Sequence, residues 1–199
     1  MWIYGASGHG RVILDCLEAS GEKVKGFIDD DPYKNEFMGF PVLRLNMIDP
    51  EDAIMVIGIG NNHIRKTIVE KLNVHFRTVI HPSAVVSPRS IVGNGSVVIP
   101  QSVINSGSRV GEHCIINTGA SIDHDCKIGD YVHIAPGAVI CGNVTIDSLT
   151  WIGAGAVIRE NLYVGRNVMI GAGSVVVKDI PDNALVMGVP GRIISHRKE

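Results

Sequence analysis

A six-residue pattern of hydrophobic positions runs from Ile80 to Val176 without a break in register. The first place of each six is always Ile or Val, and the fifth place holds a small or medium-sized residue such as Ala84 or Ala138. A fixed short period is typical of a solenoid, whose stacked turns bury a shared core. Period six with a β-branched inward residue predicts short strands, three to a coil of ~18 residues, which is a parallel β-helix.

The second place of the six favours Gly or a short polar residue, for example Gly93, Asn105 and Asp123. These residue types predict tight corners, where the backbone needs a positive φ. A β-sandwich is the alternative, but its turns do not recur in strict register as these do.

The N-terminal segment follows a different pattern. A short strand at Trp2–Tyr4 leads into a glycine-rich loop, Gly5–Gly10, and then into helical periodicity over Arg11–Glu18. A second strand is predicted at Val24–Ile28, and it ends in the acidic run Asp29–Asp31. Strand, glycine loop and helix form the first half of a nucleotide-binding unit, in which an acidic residue about 20 positions on reaches a ribose hydroxyl. A tight structural turn is the alternative for this loop, because its spacing is not a complete G-x-G-x-x-G.

A third strand is predicted at Ala53–Ile57, with a polar loop through Asn62 and a helix over about His63–Leu72. The unit spans only ~75 residues, too few for the two halves of a dinucleotide domain. A mononucleotide or nucleotide sugar therefore fits better than NAD. The predicted organisation is a Rossmann-like unit over 1–77, a β-helix over 78–181 and a closing segment over 182–199.

Composition narrows the function further. The 199 residues carry a formal net charge of −2, with no basic run beyond the tail 192–198, which argues against nucleic acid as a partner. The cysteines lack C-x-x-C spacing, and Cys114 and Cys126 fall at inward places, so we predict that they are core residues. No apolar run approaches ~18 residues, so neither a signal peptide nor a membrane span is predicted. The expected location is the cytoplasm.

The outward wall of the coil is mostly small and polar, and Asp123-His124-Asp125 is the exception. His124 occupies the third place of its six, near a corner. A histidine titrates near neutrality and can take a proton from an amine or hydroxyl. A carboxylate on its other ring nitrogen fixes the tautomer and supports the imidazolium. Pairing with Asp125 is a hypothesis, because adjacent residues do not automatically bring their side chains together. Gly142 lies 18 residues on, so nothing bulky is expected over His124.

His113, His124 and His133 also raise the possibility of a metal site like that of γ-class carbonic anhydrases. Their phases along the coil differ, and the spacing lacks the required His-x4-His pair. No metal is predicted. His133 is instead a candidate for contact with an acyl oxygen, with an unremarkable position on the wall as the alternative.

Taken together, the periodic coil resembles the hexapeptide-repeat acyltransferases, whose fold is a left-handed β-helix. Gly-Ala-Ser-Gly-His-Gly, Ile-Gly-Asn-Asn and Asp-His-Asp together resemble the sugar acetyltransferases that include the bacillosamine-pathway N-acetyltransferase and the sialic acid O-acetyltransferases. In the bacillosamine-pathway enzyme the motif is His-Glu, and the histidine is the base; here Asp125 replaces the glutamate.

The resemblance implies a homotrimer with acetyl-CoA along the coil and a nucleotide sugar, with UDP as the expected nucleotide, on the N-terminal unit. It implies His124 and Asp125 as catalytic residues. The expected substrate-binding residues are Gly8, His9, Gly10, Asp29, Asp30, Gly58, Asn61, Asn62 and Arg65. The expected acetyl-CoA-binding residues are His133, Gly142, Gly153, Gly171, Ala172 and Pro190.

The predicted activity is transfer of acetyl from acetyl-CoA to the 4-amino group of a nucleotide-linked 4-amino-4,6-dideoxy sugar, with His124 as base and no acyl-enzyme. The first alternative is an O-acetyltransferase acting on sialic acid or another sugar, because an amine and a hydroxyl need the same base. The second is a non-catalytic nucleotide-sugar-binding or scaffold protein.

Overall fold

The N-terminal unit is built on one sheet with two helices. The computed structural model describes residues 1–49 and 53–196. The six-stranded sheet has the order β3-β4-β2-β1-β5-β6, and all its pairings are parallel except β3–β4. Its elements are β1 Trp2–Tyr4, α1 Gly8–Ala19, β2 Gly26–Ile28, β3 Glu36–Phe37, β4 Phe40–Leu43, a 3-10 turn Leu45–Met47, β5 Ile54–Ile57, α2 Asn62–Lys71 and β6 His75–Phe76.

Both predicted helices form, and each begins before its predicted start. In α1 the apolar residues Ile13, Leu14 and Leu17 recur at helical spacing and are buried in a cluster with the sheet. The side chain of Asn61 accepts a hydrogen bond from the backbone N–H of Ile64 at 3.0 Å, so it caps α2 one residue earlier than the hydrophobic pattern indicates.

The periodic stretch and the segment after it form three sheets, the faces of a triangular coil, in which all strands pair in parallel except β25. Sheet 1 contains β7 Val79–Ile80, β10 Val97–Val98, β13 Ile115–Ile116, β16 His133–Ile134, β19 Trp151–Ile152, β22 Met169–Ile170, β24 Ala184–Met187 and β25 Arg192–His196. Sheet 2 contains β8 Val85–Val86, β11 Val103–Ile104, β14 Ser121–Ile122, β17 Val139–Ile140, β20 Val157–Ile158 and β23 Val175–Val176. Sheet 3 contains β9 Ile91–Val92, β12 Arg109–Val110, β15 Lys127–Ile128, β18 Thr145–Ile146 and β21 Tyr163–Val164.

The predicted core is confirmed from Val98 onward, whereas Val86 and Val92 are only partly buried and Ile80, in the first coil, is 41% exposed. Partners in register are one coil apart, as Val97 pairs with Ile115 and Val103 with Ser121. The first-place residues from Val98 to Val176 form one buried cluster, and Cys114 and Cys126 are fully buried within it. A β-helix built from hexapeptide repeats is therefore established for this chain. The left-handed winding remains a prediction that rests on the resemblance to the hexapeptide-repeat acyltransferases.

The corners differ from the prediction. Positive φ falls at the fourth place of the six, from Gly95 to Gly173, and not at the second. The second-place glycines serve close packing instead: a Cβ on Gly93 would lie 2.5 Å from the carbonyl oxygen of Gly111 in the following coil. The glycines at the second place are explained by contact between stacked backbones, where only a residue without Cβ fits.

The C-terminal tail, which is the last part of the predicted closing segment, is extended over Arg192–His196. It forms β25, antiparallel to β24, after the chain reverses at Val189–Gly191. Strand β24 continues sheet 1, and its outer edge offers unpaired backbone groups that β25 satisfies. Residues 197–199 of the predicted closing segment lie outside the described residues. Neither helix in the described part of the chain has the length and hydropathy to cross a membrane.

Candidate active site

His124 and Asp125 form a hydrogen-bonded pair at the corner between sheets 2 and 3. His124 Nδ1 lies 2.9 Å from Asp125 Oδ2. Asp125 occupies the fourth place of its six and has a φ of 59°, which turns its side chain back towards its neighbour. Aspartate tolerates this left-handed conformation better than most residues. The hypothesised pairing is therefore observed, and it leaves Nε2 as the ring nitrogen that can take a proton.

A second carboxylate, that of Asp123, steadies the same corner. Its Oδ1 accepts the backbone N–H of His124 at 2.8 Å and an amide hydrogen of Asn105 at 2.9 Å. The hydrogen bond from Asp125, followed by the charge of Asp123, raises the pKa of His124 above its ordinary value of 6.5. The His124 side chain is 60% exposed, so this candidate base lies on an open surface.

Gly142, in the following coil, leaves room for the ring. A Cβ on Gly142 would lie 2.6 Å from His124 Nε2. Any side chain there would cover Nε2, the ring nitrogen that is free to take a proton. The structure thus places Gly142 beside the catalytic candidate, as the 18-residue spacing predicts.

The glycine loop lies at the carboxyl ends of β1, β2 and β5. Asp29 Oδ2 accepts the backbone N–H of Ala6 at 2.9 Å and a hydrogen of Lys34 Nζ at 3.0 Å, while Asp29 Oδ1 accepts the backbone N–H of Asp31. Asp30 accepts the hydroxyl of Tyr4 with both oxygens, at 3.0 and 2.9 Å. The two carboxylates therefore shape this edge of the sheet as well as being candidates for substrate contact.

The loop glycines divide into two groups. A Cβ on Gly10 would overlap the carbonyl oxygen of Gly5, and one on Gly58 would lie 2.9 Å from the Cα of Gly10, so these positions are explained by backbone packing. Gly8 has open space around its Cα and begins α1, and no side-chain hydrogen bond caps that helix. The unpaired backbone N–H groups of a helix N-terminus favour an anion such as phosphate.

His9 and His133 meet on the outward side of sheet 1. Their ring centroids are 6.3 Å apart, and the His133 ring also lies 4.0 Å from that of Trp151. His9 Nε2 is buried without a hydrogen-bond partner among the described residues. Burial, followed by the charge of Arg65, lowers the pKa of His9 to about 4 and that of His133 to about 3, so both rings are neutral near neutral pH.

His133 itself has no free donor for an acyl oxygen. Its Nδ1 lies 3.3 Å from the carbonyl oxygen of Gly60, which can only accept, so Nδ1 carries the hydrogen. Its Nε2 then accepts from Asn117 Nδ2 at 3.1 Å. Asn117 keeps a second amide hydrogen, for which the described residues show no partner. Sequence reasoning missed Asn117, since it fills an ordinary second-place corner; only the contact with His133 distinguishes it.

Asn62 and Arg65 do not fit the predicted contact with a substrate. Arg65 is 1% exposed, and all five of its N–H donors are used within the chain. Four of its acceptors are the carbonyl oxygens of Ile59, Gly60, His113 and Tyr131. The fifth is Asn62 Oδ1, while Asn62 Nδ2 donates to the carbonyl oxygens of Leu149 and Thr150. These residues join the N-terminal unit to the coil. Asn61, which is exposed, is a helix cap.

The remaining candidates for acetyl-CoA binding lie away from the corner that contains His124. The corner between sheets 1 and 2 contains Gly153, Gly171 and Ala172, which follow strands of sheet 1. Asn117 lies at the same corner, two coils before Gly153, so these residues form a column of stacked corners. A Cβ on Gly153 would lie 2.6 Å from the backbone nitrogen of Ala172, so this column is close-packed. Pro190 lies in the turn before β25, and the next residue donates its N–H to the carbonyl oxygen of Val175.

Comparison with known proteins gives matches over most of the chain. The model of the PglD N-terminal domain matches residues 1–72, and that of the bacterial transferase hexapeptide (six repeats) matches 107–142 and 143–178. The acetyltransferase domain of PglB from Neisseria gonorrhoeae FA1090, solved with acetyl coenzyme A, is 40% identical, with a TM-score of 0.90 and coverage of 97% of this chain and 98% of that one. This chain belongs to the same family of hexapeptide-repeat acetyltransferases.

Two further members match with similar completeness. PerB from Caulobacter crescentus, solved with CoA and GDP-perosamine, is 36% identical, with a TM-score of 0.93 and coverage of 98% of this chain and 96% of that one. WeeI from Acinetobacter baumannii AYE is 33% identical, with a TM-score of 0.90 and coverage of 97% and 98%. The predicted family and the predicted enzyme class, an acyltransferase, are confirmed.

Proposed function

We propose that this acetyltransferase moves the acetyl group of acetyl-CoA to the 4-amino group of a nucleotide-linked 4-amino-4,6-dideoxy sugar. The observation that carries this proposal is the His124–Asp125 pair, with Nε2 open beside Gly142. The acetyltransferase domain of PglB was solved with acetyl coenzyme A, and PerB with CoA and GDP-perosamine, which supports both substrates. UDP is the expected nucleotide, and GDP is the alternative that PerB suggests.

The reaction needs one base and one oxyanion donor. The neutral amine attacks the thioester carbonyl, and His124 Nε2 takes the proton from the nitrogen as the bond forms. Collapse of the tetrahedral intermediate breaks the C–S bond and releases the CoA thiolate, which takes up a proton. Asp125 keeps the hydrogen of the imidazole on Nδ1 and stabilises the imidazolium. No acyl-enzyme is required.

The second amide hydrogen of Asn117 is our candidate for the oxyanion donor. His133 holds the amide in place through a 3.1 Å contact and is itself fixed by Gly60. A preorganised donor of this kind stabilises the charge that develops on the acyl oxygen. The role first expected of His133 therefore passes to the residue that it orients.

The nucleotide is assigned to the carboxyl edge of the N-terminal sheet. The start of α1 at Gly8 offers unpaired backbone N–H groups to the diphosphate, and Asp30 lies at the end of the neighbouring β2. His9 follows Gly8, and its ring centroid lies 6.3 Å from that of His133, so this edge of the sheet adjoins sheet 1 of the coil.

A panel of acceptors tests the proposed activity. We expect release of free CoA thiol with a UDP- or GDP-linked 4-amino-4,6-dideoxy sugar at a kcat/KM above ~10⁴ M⁻¹s⁻¹, the lower range of efficient enzymes. A dTDP-linked amine and free sialic acid complete the panel. Turnover on sialic acid alone would move the protein to the O-acetyltransferase alternative, and binding without turnover on any acceptor would favour the non-catalytic one.

Within one chain the two halves of this site are apart. His124 stands at the corner between sheets 2 and 3, which lies opposite the face made by sheet 1. His9, His133 and Asn117 lie on sheet 1 or at its edge. A complete site therefore requires the corner of one copy to meet sheet 1 of another, which supports the proposed homotrimer.

The outward face of sheet 2 supports the same assembly. Five of its six outward residues are valines: Val85, Val103, Val139, Val157 and Val175. Val85 is 64% exposed and Val139 is 37% exposed. Sheet 3 instead presents Arg109, Lys127 and Thr145 over its middle coils. Among the described residues, sheet 3 has exposed apolar residues only at its two ends, Ile91 and Tyr163, so the valine stripe on sheet 2 is the better candidate for a protein–protein contact surface.

We expect Val139→Lys to dissociate the assembly, because it places a charge in that apolar stripe. Sedimentation velocity should give three times the 21.4 kDa chain mass for the wild type and a smaller mass for the variant. Thr145→Lys, on the polar face of sheet 3, is the matched control and should sediment as the wild type. A Val139→Lys protein of unchanged mass would remove sheet 2 from the interface.

A further inference from the structure

Gly107 lies one coil before Asp125 and has no role in the chemistry described so far. Both residues occupy the fourth place of their six, at the corner between sheets 2 and 3. Their coils are tied together, since the backbone N–H of Asp125 donates to the carbonyl oxygen of Ser106 at 3.1 Å. The side chain of Asp125 extends over Gly107, where a Cβ would overlap Oδ1 of the carboxylate.

Backbone conformation alone does not explain a glycine at this position. Fourth-place residues with positive φ include many that are not glycine, among them Gln101, Tyr131 and Leu149. Most fourth-place glycines, such as Gly119 and Gly137, have no atom within 4 Å of an added Cβ. Gly107 differs because a functional side chain fills the space that its missing Cβ leaves.

We propose that Gly107 is a positioning residue of the active site, which reserves the space that holds the Asp125 carboxylate against His124. With Oδ1 over Gly107, the other oxygen, Oδ2, reaches His124 Nδ1 at 2.9 Å. A side chain at 107 displaces the carboxylate and breaks that contact. The inference deepens the proposed function, on which it rests for its catalytic consequence.

The other groups around His124 would not replace this contact. Asp123 bonds the backbone N–H of His124 and the side chain of Asn105, and its charge also raises the pKa of the ring. From the following coil the ring faces Gly142, which has no side chain, and the adjacent Cys141 carries a neutral thiol with a raised pKa. Loss of the Asp125 contact should therefore lower the His124 pKa, although the charge of Asp123 still raises it in part.

The test measures the pKa of His124 by NMR in the substrate-free protein, with its ring signal assigned from a His124→Gln variant. We expect Gly107→Ala to lower this pKa as far as Asp125→Asn does. Gly137→Ala is the matched control: its φ of +65° matches the +79° of Gly107, but nothing lies near its added Cβ. It should leave the His124 pKa unchanged. A Gly107→Ala protein with the wild-type His124 pKa would overturn the proposal, whatever the enzyme acetylates.

Kinetics and stability complete the test. Gly107→Ala should lower kcat by about tenfold with little change in KM, which is less than the ~10²- to 10⁴-fold for loss of a general base because His124 itself remains. It should have no further effect in an Asp125→Asn background. If Gly107→Ala does not fold, the Gly107→Ala/Asp125→Ala double variant tests whether the clash with the Asp125 carboxylate is the cause. It removes the overlapping carboxylate and should lose no more in melting temperature than Gly137→Ala. A double variant that still fails to fold contradicts the proposed contact.

Discussion

Replacement of His124 by alanine should lower kcat/KM for the amino-sugar acceptor by about 10²- to 10⁴-fold, the usual contribution of a general base. The loss should appear mainly in kcat, because the imidazole acts on the proton that leaves the amine during attack. Steady-state assays of CoA release, with acceptor and acetyl-CoA varied in turn, measure this change. A loss within about threefold, which corresponds to under ~1 kcal/mol of transition-state stabilisation, would falsify the base assignment.

The control for this substitution is a half-buried histidine away from the site, His81. His81 stands at the start of the coil, and its Nδ1 accepts the backbone N–H of Ser83. His81→Ala should retain wild-type kcat/KM. Because the His124 side chain is largely exposed, its removal should leave the melting temperature unchanged, so a lost activity cannot be attributed to unfolding.

Replacement of Arg65 by alanine should destabilise the protein by about 3–5 kcal/mol, the range for breaking a buried charged network. The variant leaves four backbone carbonyl oxygens and Asn62 Oδ1 without their donor in a buried region. Each unsatisfied buried acceptor costs about 1–3 kcal/mol, with water entry reducing the total. Urea denaturation at a fixed protein concentration measures the change, because association contributes to the stability of an oligomer.

Arg77 provides the comparison for Arg65. It forms a surface ion pair with Glu22 at 2.8 Å, and its side chain is 55% exposed. Arg77→Ala should cost at most about 1 kcal/mol. Equal effects of the two substitutions would mean that the guanidinium of Arg65 is solvated in solution and does not join the N-terminal unit to the coil.

The fold was predictable because its signal is local and repeated. Each six residues carry the same inward Ile or Val, and from Val98 to Val176 the repeats place every one of these residues in a common core. The helices were predictable from the spacing of apolar residues such as Ile13 and Leu17, although the cap at Asn61 moved one boundary. The tail at Arg192–His196 was not, because its strand exists only through pairing with β24.

The site was predictable in part. The sequence by itself determined that His124 stands on the outer wall with Asp125 beside it and Gly142 one coil on, since these relations follow from the period alone. Tertiary structure decided that Arg65 and Asn62 join two parts of the chain, that Asn117 and not His133 keeps a free donor, and that Gly107 underlies the Asp125 carboxylate. The reason is physical: a period specifies which way a residue faces, whereas its hydrogen-bond partners come from segments far away in the chain.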